Sequence, residues 1–230
     1  SFINKRIKLI MAYTTINKST DNFNTKTYSG NGGTQSLTGV GFQPDFTWIK
    51  QRTGTTWHNL YDAVRGVTKA IACNDTDAED TRATGLTAFD SDGFSLGSDS
   101  NANAGSGSTY VSWNWKAGGG QGSSNTAGSI NTTYTSANTT AGFSISQYTG
   151  TGSNATVGHG LGVAPKFIIV KCVSHASEWI VYYGDATDYL KFNEDNATAD
   201  DSTRWNDTAP TNSVFSLGTQ GDINTSGRTY

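Results

Sequence analysis

The chain has 230 residues, with 16 Lys and Arg against 19 Asp and Glu, for a formal net charge of −3. That balance offers no basic footprint for nucleic acid or an anionic membrane surface, so neither partner is expected. No apolar run reaches the roughly 18 residues that a membrane helix needs.

Only 15% of the residues are charged and 34% are hydrophobic, with 27 Gly, 3 Pro and 1 Met. Thr, Ser and Asn fill the gaps and favour strands, turns and loops over helices. The first ten residues are basic and apolar but lack a signal-peptide cleavage pattern. Met11-Ala-Tyr-Thr-Thr reads as a natural start, so residues 1–20 are set apart as an N-terminal extension.

Phe23 to Tyr28 predicts a short strand, and the glycines after it predict a turn. That turn is no phosphate loop, having no helix pattern behind it and no Gly-Lys-Ser/Thr. The strongest strand is Phe46-Thr-Trp-Ile-Lys50, with Pro44 at its start, where a missing N–H costs no ladder bond. Thr56 to Tyr61 and Val67 to Asn74 follow as strands, then the acidic loop Asp75-Thr-Asp-Ala-Glu-Asp80. Leu86 to Phe89 and Phe94 to Leu96 flank Asp90-Ser-Asp-Gly93, a hairpin signature because Asp-Gly suits a tight turn. Val111-Ser-Trp-Asn-Trp115 predicts a half-buried strand, with Val and both Trp on one side and Ser112 and Asn114 on the other.

Residues 117–140 are rich in Gly, Ser, Asn and Thr and predict a linker or long surface connection. Beyond it the chain repeats itself. Tyr28-Ser-Gly returns as Tyr148-Thr-Gly, Pro44-Asp-Phe46 as Pro165-Lys-Phe167, and Phe94-Ser-Leu-Gly97 as Phe215-Ser-Leu-Gly218. Ser106-Gly-Ser-Thr-Tyr110 returns as Ser226-Gly-Arg-Thr-Tyr230. The offsets are steady: 148−28 = 120, 165−44 = 121, 215−94 = 121 and 230−110 = 120. A fixed period over most of a chain marks two copies of one structural unit. The expectation is an all-β protein of two tandem antiparallel β-sandwich repeats of jelly-roll or lectin-like type, over 21–116 and 141–230. The second copy stops where the first still has its Val-x-Trp-x-Trp strand to come, which predicts an open or borrowed sheet edge there.

The chemistry-bearing residues are sparse. Cys73 and Cys172 do not fall at matching repeat positions, so two buried free thiols are expected rather than a disulfide framework. The acidic loops lack the sixth-place glycine and distal Glu of a calcium hand. No His-x-x-x-His or Cys-x-x-Cys spacing exists for zinc, and His58, His159 and His175 are isolated. Neither a metal nor a cofactor is expected. Gly93-Phe-Ser95-Leu-Gly97 matches the Gly-x-Ser-x-Gly pattern formally but opens a hairpin arm instead of joining a strand to a helix. With acids in loops and no paired carboxylates on strands, catalysis is unsupported.

Aromatic side chains remain, since Tyr and Trp can stack on sugar rings. Trp57 with Trp179 and Tyr61 with Tyr183 recur and are assigned to the core. His58, Tyr182, Tyr189 and Trp205 are read as specific to one copy and near loops, and are the candidate ligand residues.

Met11-Ala-Tyr-Thr-Thr-Ile-Asn-Lys-Ser, Gly39-Val-Gly-Phe-Gln-Pro44-Asp, Phe89-Asp-Ser-Asp-Gly-Phe94-Ser-Leu-Gly, Gly158-His-Gly-Leu-Gly-Val-Ala-Pro165-Lys and Trp205-Asn-Asp-Thr-Ala-Pro210-Thr carry a family likeness. Together, from Met11 to Tyr230, they resemble an uncharacterised tandem domain of marine bacteriophage structural proteins. The resemblance implies a virion component assembled in the host cytoplasm: a fibre, appendage or capsid-decoration protein. It also implies other virion proteins and further copies of the chain as partners. A host-surface glycan or protein is the ligand class then expected. An extracellular lectin-like adhesin is the alternative, and a glycan-processing enzyme a weaker one.

Overall fold

The computed structural model describes residues 16–105 and 107–230. The proposed start at Met11 and most of the N-terminal extension lie outside the described residues. The class is all-β: among the described residues, seventeen strands are joined in antiparallel ladders, with three α-helices of four residues each and a 3-10 turn at Ser19–Asp21.

The first half contains β1 (Phe23–Ser29), β2 (Gln35–Thr38), β3 (Phe46–Gln51), β4 (Asn59–Asp62) and β5 (Lys69–Ala72), then β6 (Asp80–Thr81), β7 (Leu86–Asp90) and β8 (Gly93–Leu96). Helix α1 (Ser100–Asn103) and β9 (Thr109–Trp115) complete it. One sheet has the order β1-β9-β3-β4-β5-β6 and the other β2-β8-β7. Both contribute to a single core of Tyr28, Leu37, Ile49, Tyr61, Phe94 and Tyr110 among others. The predicted hairpin is β7–β8, closed by the Asp90–Gly93 pair. Gly93 has φ +149°, and a Cβ there would lie 1.9 Å from the Leu37 carbonyl oxygen, so no larger residue fits.

β9 runs between β1 and β3 and alternates as expected, but its polar side is the more deeply buried one. Ser112 and Asn114 are inaccessible to solvent, while Trp113 and Trp115 are only half-buried. The Asn114 side-chain NH2 donates to the Asn24 carbonyl at 3.1 Å and to Ser112 Oγ at 3.0 Å. The tryptophans instead face aromatic partners, at 5.5 Å from Trp113 to Trp48 and 5.4 Å from Trp115 to Phe46.

The second half contains β10 (Tyr134–Asn138), β11 (Phe143–Gln147), β12 (Ala155–Gly158), β13 (Ile168–Lys171) and β14 (Trp179–Tyr182), followed by β15 (Asp188–Lys191) and β16 (Ala199–Asp200). Helix α2 (Ser202–Trp205), β17 (Val214–Leu217) and α3 (Gly221–Asn224) follow. Its strands form β13-β14-β15-β16, β12-β17 and β10-β11 around a core that includes Tyr148, Val170, Tyr182, Trp205, Phe215 and Tyr230.

Several buried hydrogen bonds occur twice, at the spacing of the sequence repeat. Tyr28 Oη donates to the Ala102 carbonyl at 2.7 Å, and Tyr148 Oη to the Ile223 carbonyl at 2.7 Å. Burial pushes both hydroxyls well above the ordinary tyrosine value, which keeps them protonated as donors. Each stacks on a second tyrosine: Tyr28 on Tyr110 at 5.1 Å, Tyr148 on Tyr230 at 5.2 Å. The Asn103 amide donates to the Gly97 and Gly33 carbonyls, and that of Asn224 to the Gly218 and Ser153 carbonyls.

One strand position is not repeated. β9 joins β1 to β3, whereas among the described residues no strand joins β11 to β13, and β13 ends its sheet.

Residues 117–140 are folded rather than a free tether, which corrects the linker expectation. β10 pairs along the whole of β11, and Ala117, Ile130, Thr132 and Ser136 are buried. The buried Asp45 carboxylate accepts from the amides of Ala117, Gly119 and Gly120 at 2.7, 2.9 and 2.7 Å. Positive φ values at Gly119 (+85°) and Gly120 (+126°) let successive N–H groups converge on one carboxylate.

The halves also meet directly. Trp179 packs with Leu60, Ile71 and Cys73, and its indole N–H donates to the Asp75 carbonyl at 3.0 Å. Lys171 Nζ donates to the Thr76 carbonyl at 2.7 Å. Phe143 lies 6.0 Å from Phe46, and Phe192 lies 5.8 Å from Trp48.

Candidate ligand-binding site

The strand registers decide which aromatic residues are shared and which are not. Tyr61 lies opposite Thr47 in the β3–β4 ladder, and Tyr182 lies opposite Ile168 in the β13–β14 ladder. Thr47 and Ile168 are 121 residues apart, so Tyr61 corresponds to Tyr182, not Tyr183. The same offset matches His58 with Trp179. Two hydrogen bonds agree: the His58 amide donates to Asn74 Oδ1 and the Trp179 amide to Asn193 Oδ1. Trp57 therefore corresponds to Glu178. Aligning the segments by their aromatic letters misplaces them by one residue, and in a strand that exchanges the two faces.

The four candidate ligand residues separate accordingly. Tyr182 and Trp205 are core residues, their rings 5.8 Å apart edge to face, and present no surface to a ligand. Tyr189 is half-buried under the Arg204 guanidinium, which stands 3.5 Å from the ring centroid. His58 is half-buried, with Nδ1 accepting from Trp48 Nε1 at 3.1 Å. Burial lowers its pKa, with Lys50 adding to the effect, so the ring stays neutral as that acceptor. The structure does not bring these four side chains together on one surface.

Trp57 is exposed, with 37% of its surface accessible, although it was assigned to the core. It lines a cleft of about 300 Å³ with Ile71 and Ala72 of β5, Asp77, Asp80 and Arg82. The acidic loop 75–80 supplies one wall and the outer strands β5 and β6 the floor. Arg82 is held in place: Nε donates to Asp80 Oδ2 at 3.1 Å and Nη1 to the side-chain Oδ1 of the buried Asn59 at 2.9 Å. Its guanidinium has further N–H donors that can point into the cleft. A flat indole face beside carboxylates and a fixed guanidinium suits a polyhydroxylated ring: stacking on one side, hydrogen bonds at the rim. Sequence reasoning missed this site because it treated Trp57 as repeated. The unmatched residue at 57, set at an offset of 121, was the available signal.

A second depression of about 590 Å³ is lined by Gly118, Gly122, Ser123, Asn125, Thr135 and Gly160, among others, and contains no aromatic side chain. His159 is buried, with Nδ1 accepting from the Leu161 amide at 3.1 Å and Nε2 lying 3.2 Å from the Thr211 carbonyl oxygen. Ser95 belongs to the hairpin and donates to Asp90 at 2.7 Å. Among the described residues, no group of three or more His, Cys, Asp or Glu side chains is placed to hold a metal ion. Both cysteines are free and buried, and burial pushes the Cys73 thiol up to about 12.

The profile of one family matches residues 18–230. The chain belongs to the family described as Domain of unknown function (DUF7483). The match runs unbroken across both halves, so the Trp57 cleft and the packing between the halves fall inside the family unit. No curated protein and no solved structure matches the chain.

Proposed function

We propose that this chain is a non-enzymatic recognition module that binds a glycan through the Trp57 cleft. The observation carrying the reading is the exposed Trp57 beside Asp77, Asp80 and Arg82, in the segment leading into β4, where the corresponding residue of the other half is Glu178. The setting we propose for it is the surface of a bacteriophage particle. Support for that setting is the motif resemblance from Met11 to Tyr230, with the ligand then a host-surface glycan and the partners other virion proteins or further copies.

Glycan-array screening of the chain, followed by titration of any hit against Trp57→Ala and Arg82→Ala, tests the reading. Binding that falls at least about tenfold in both variants supports it, in line with the energy concentrated in aromatic and Arg anchors. Binding unchanged by Trp57→Ala would overturn the assignment of the cleft. Antibody labelling of particles in electron micrographs tests the setting separately. Unlabelled particles from a phage encoding the chain would remove the virion reading and leave the extracellular adhesin.

A further inference from the structure

The wall of the Trp57 cleft is built by one half and held by the other. Asp77, Ala78 and Asp80 of the acidic loop line the cleft. Hydrogen bonds to the second half fix the backbone of that loop. Lys171 Nζ and the Ser177 amide both donate to the Thr76 carbonyl, at 2.7 and 2.8 Å. The Trp179 indole N–H donates to the Asp75 carbonyl at 3.0 Å and lies 3.2 Å from that of Ala72. Toward the other end of the loop, the Glu79 amide donates to the Val173 carbonyl at 2.9 Å. Trp179 also packs with Ile71, a residue of the cleft floor.

The repeat shows that this grip is not part of the shared scaffold. Lys50 and Lys171 are 121 residues apart, and so are Thr56 and Ser177. Both lysines donate to the matching carbonyl, Lys50 to Thr56 at 2.8 Å and Lys171 to Ser177 at 2.6 Å. Their second bonds differ: Lys50 turns back to the Gly54 carbonyl at 3.2 Å, whereas Lys171 crosses to Thr76. Lys171 is buried, so its ammonium relies on those carbonyls to replace lost water. His58 occupies the position of Trp179 and bonds Trp48 of its own half. The two acidic loops differ accordingly. Residues 75, 76, 78 and 79 are half-buried, whereas residues 194–200 are exposed throughout.

We infer that, on the glycan reading of the cleft, Lys171, Trp179 and the Ser177 amide are positioning groups for it, so that the binding unit is the docked pair of halves. None of the three lines the cleft. They act through the backbone of residues 75–79, which sets where Asp77 and Asp80 stand relative to the Trp57 ring. A wall fixed in advance spares a ligand the entropy of ordering it, and that saving appears as affinity.

Two variants test this. Lys171→Met keeps the aliphatic stem and removes the ammonium; Trp179→Phe keeps an aromatic ring and removes the N–H. Amide hydrogen exchange at Glu79 and Ser177, whose N–H groups bridge the halves, should quicken by at least about tenfold in each, with the amides of β8 and β17 in the two cores unchanged. The nitrogen–proton NMR signal of the Trp57 indole should shift in both, which a change in stability alone does not produce. Binding of the soluble oligosaccharide taken from the strongest array hit should weaken by at least about fivefold in both. Unchanged exchange at Glu79 with an unmoved Trp57 signal would overturn the positioning role and leave the glycan reading standing. Faster exchange with unaltered affinity would overturn it as well. If Trp57→Ala binds the same oligosaccharide as well as the natural chain does, the glycan reading falls instead. An array without a hit also removes that reading, and exchange at Glu79 together with the Trp57 signal then decides the positioning role alone.

Discussion

The two halves agree where they are buried and part company at their outer faces. Tyr28 and Tyr148, Tyr110 and Tyr230, Asn103 and Asn224 make matching hydrogen bonds to matching carbonyls. Trp57 and Glu178, by contrast, stand at one position with unrelated side chains, and so do His58 and Trp179. Burial explains the pattern. A hydroxyl or amide enclosed in a core must find its partner in each half, because an unmet buried polar group costs about 1–3 kcal/mol. A residue at the rim is under no such demand. It is free to become a contact between halves, as Trp179 does, or an exposed surface, as Trp57 does.

The comparison breaks first at Trp205. This 2% exposed side chain fills the second core, and Trp205→Ala should destabilise the protein by about 3–5 kcal/mol in denaturant titration. Little loss would mean that α2 does not belong to the core. Next come the paired asparagines. Asn103→Ala and Asn224→Ala each strand one buried carbonyl, that of Gly97 or Gly218, and each should cost about 1–3 kcal/mol. Similar values in the two halves would sharpen the equivalence, whereas a several-fold disparity would break it.

Lys171 gives a smaller and signed effect. Burial lowers its pKa to about 8. The unfolded chain then holds a proton that the folded chain has released between about pH 8 and 10.5, so stability gains with rising pH across that window. Below it the full penalty applies. Relative to Lys171→Met, the natural chain should become more stable as pH rises from 8 to 10.5, and a flat difference in melting temperature would contradict this. The smallest effect belongs to Trp57→Ala, which should change stability by no more than about 0.5 kcal/mol, as for an ordinary surface site. A loss of several kcal/mol would place Trp57 in a core after all.

Much of the shared interior was legible in the sequence. The tyrosine-glycine turns, the hairpin at Asp90–Gly93 and the all-β class all follow from a steady offset and from turn chemistry. The Asn103 and Asn224 knots carried the same signal at 121 residues' spacing but were masked by the abundance of asparagine. The candidate site was much less legible. Letter similarity between Trp57-to-Tyr61 and Trp179-to-Tyr183 favoured an offset one residue too long, and in a β-strand one residue is the difference between core and surface. The alternation in β9 was readable, but its inward sense was not. It depends on the second half covering Trp48 and Trp115, a long-range contact that a local pattern does not contain.

The grip of Asp45 on the connector has a mechanical consequence. Its own amide donates to the Trp115 carbonyl, and its carboxylate holds three amides between residues 117 and 120. Tension drawn along the connector therefore reaches the Asp45 carboxylate, loading its bonds together rather than one after another, beside the direct contacts that Trp179 and Lys171 make between the halves. Slack in the glycines beyond it stays locked away until that anchor lets go. The connector thus cannot pay out its length while the carboxylate keeps its three amides.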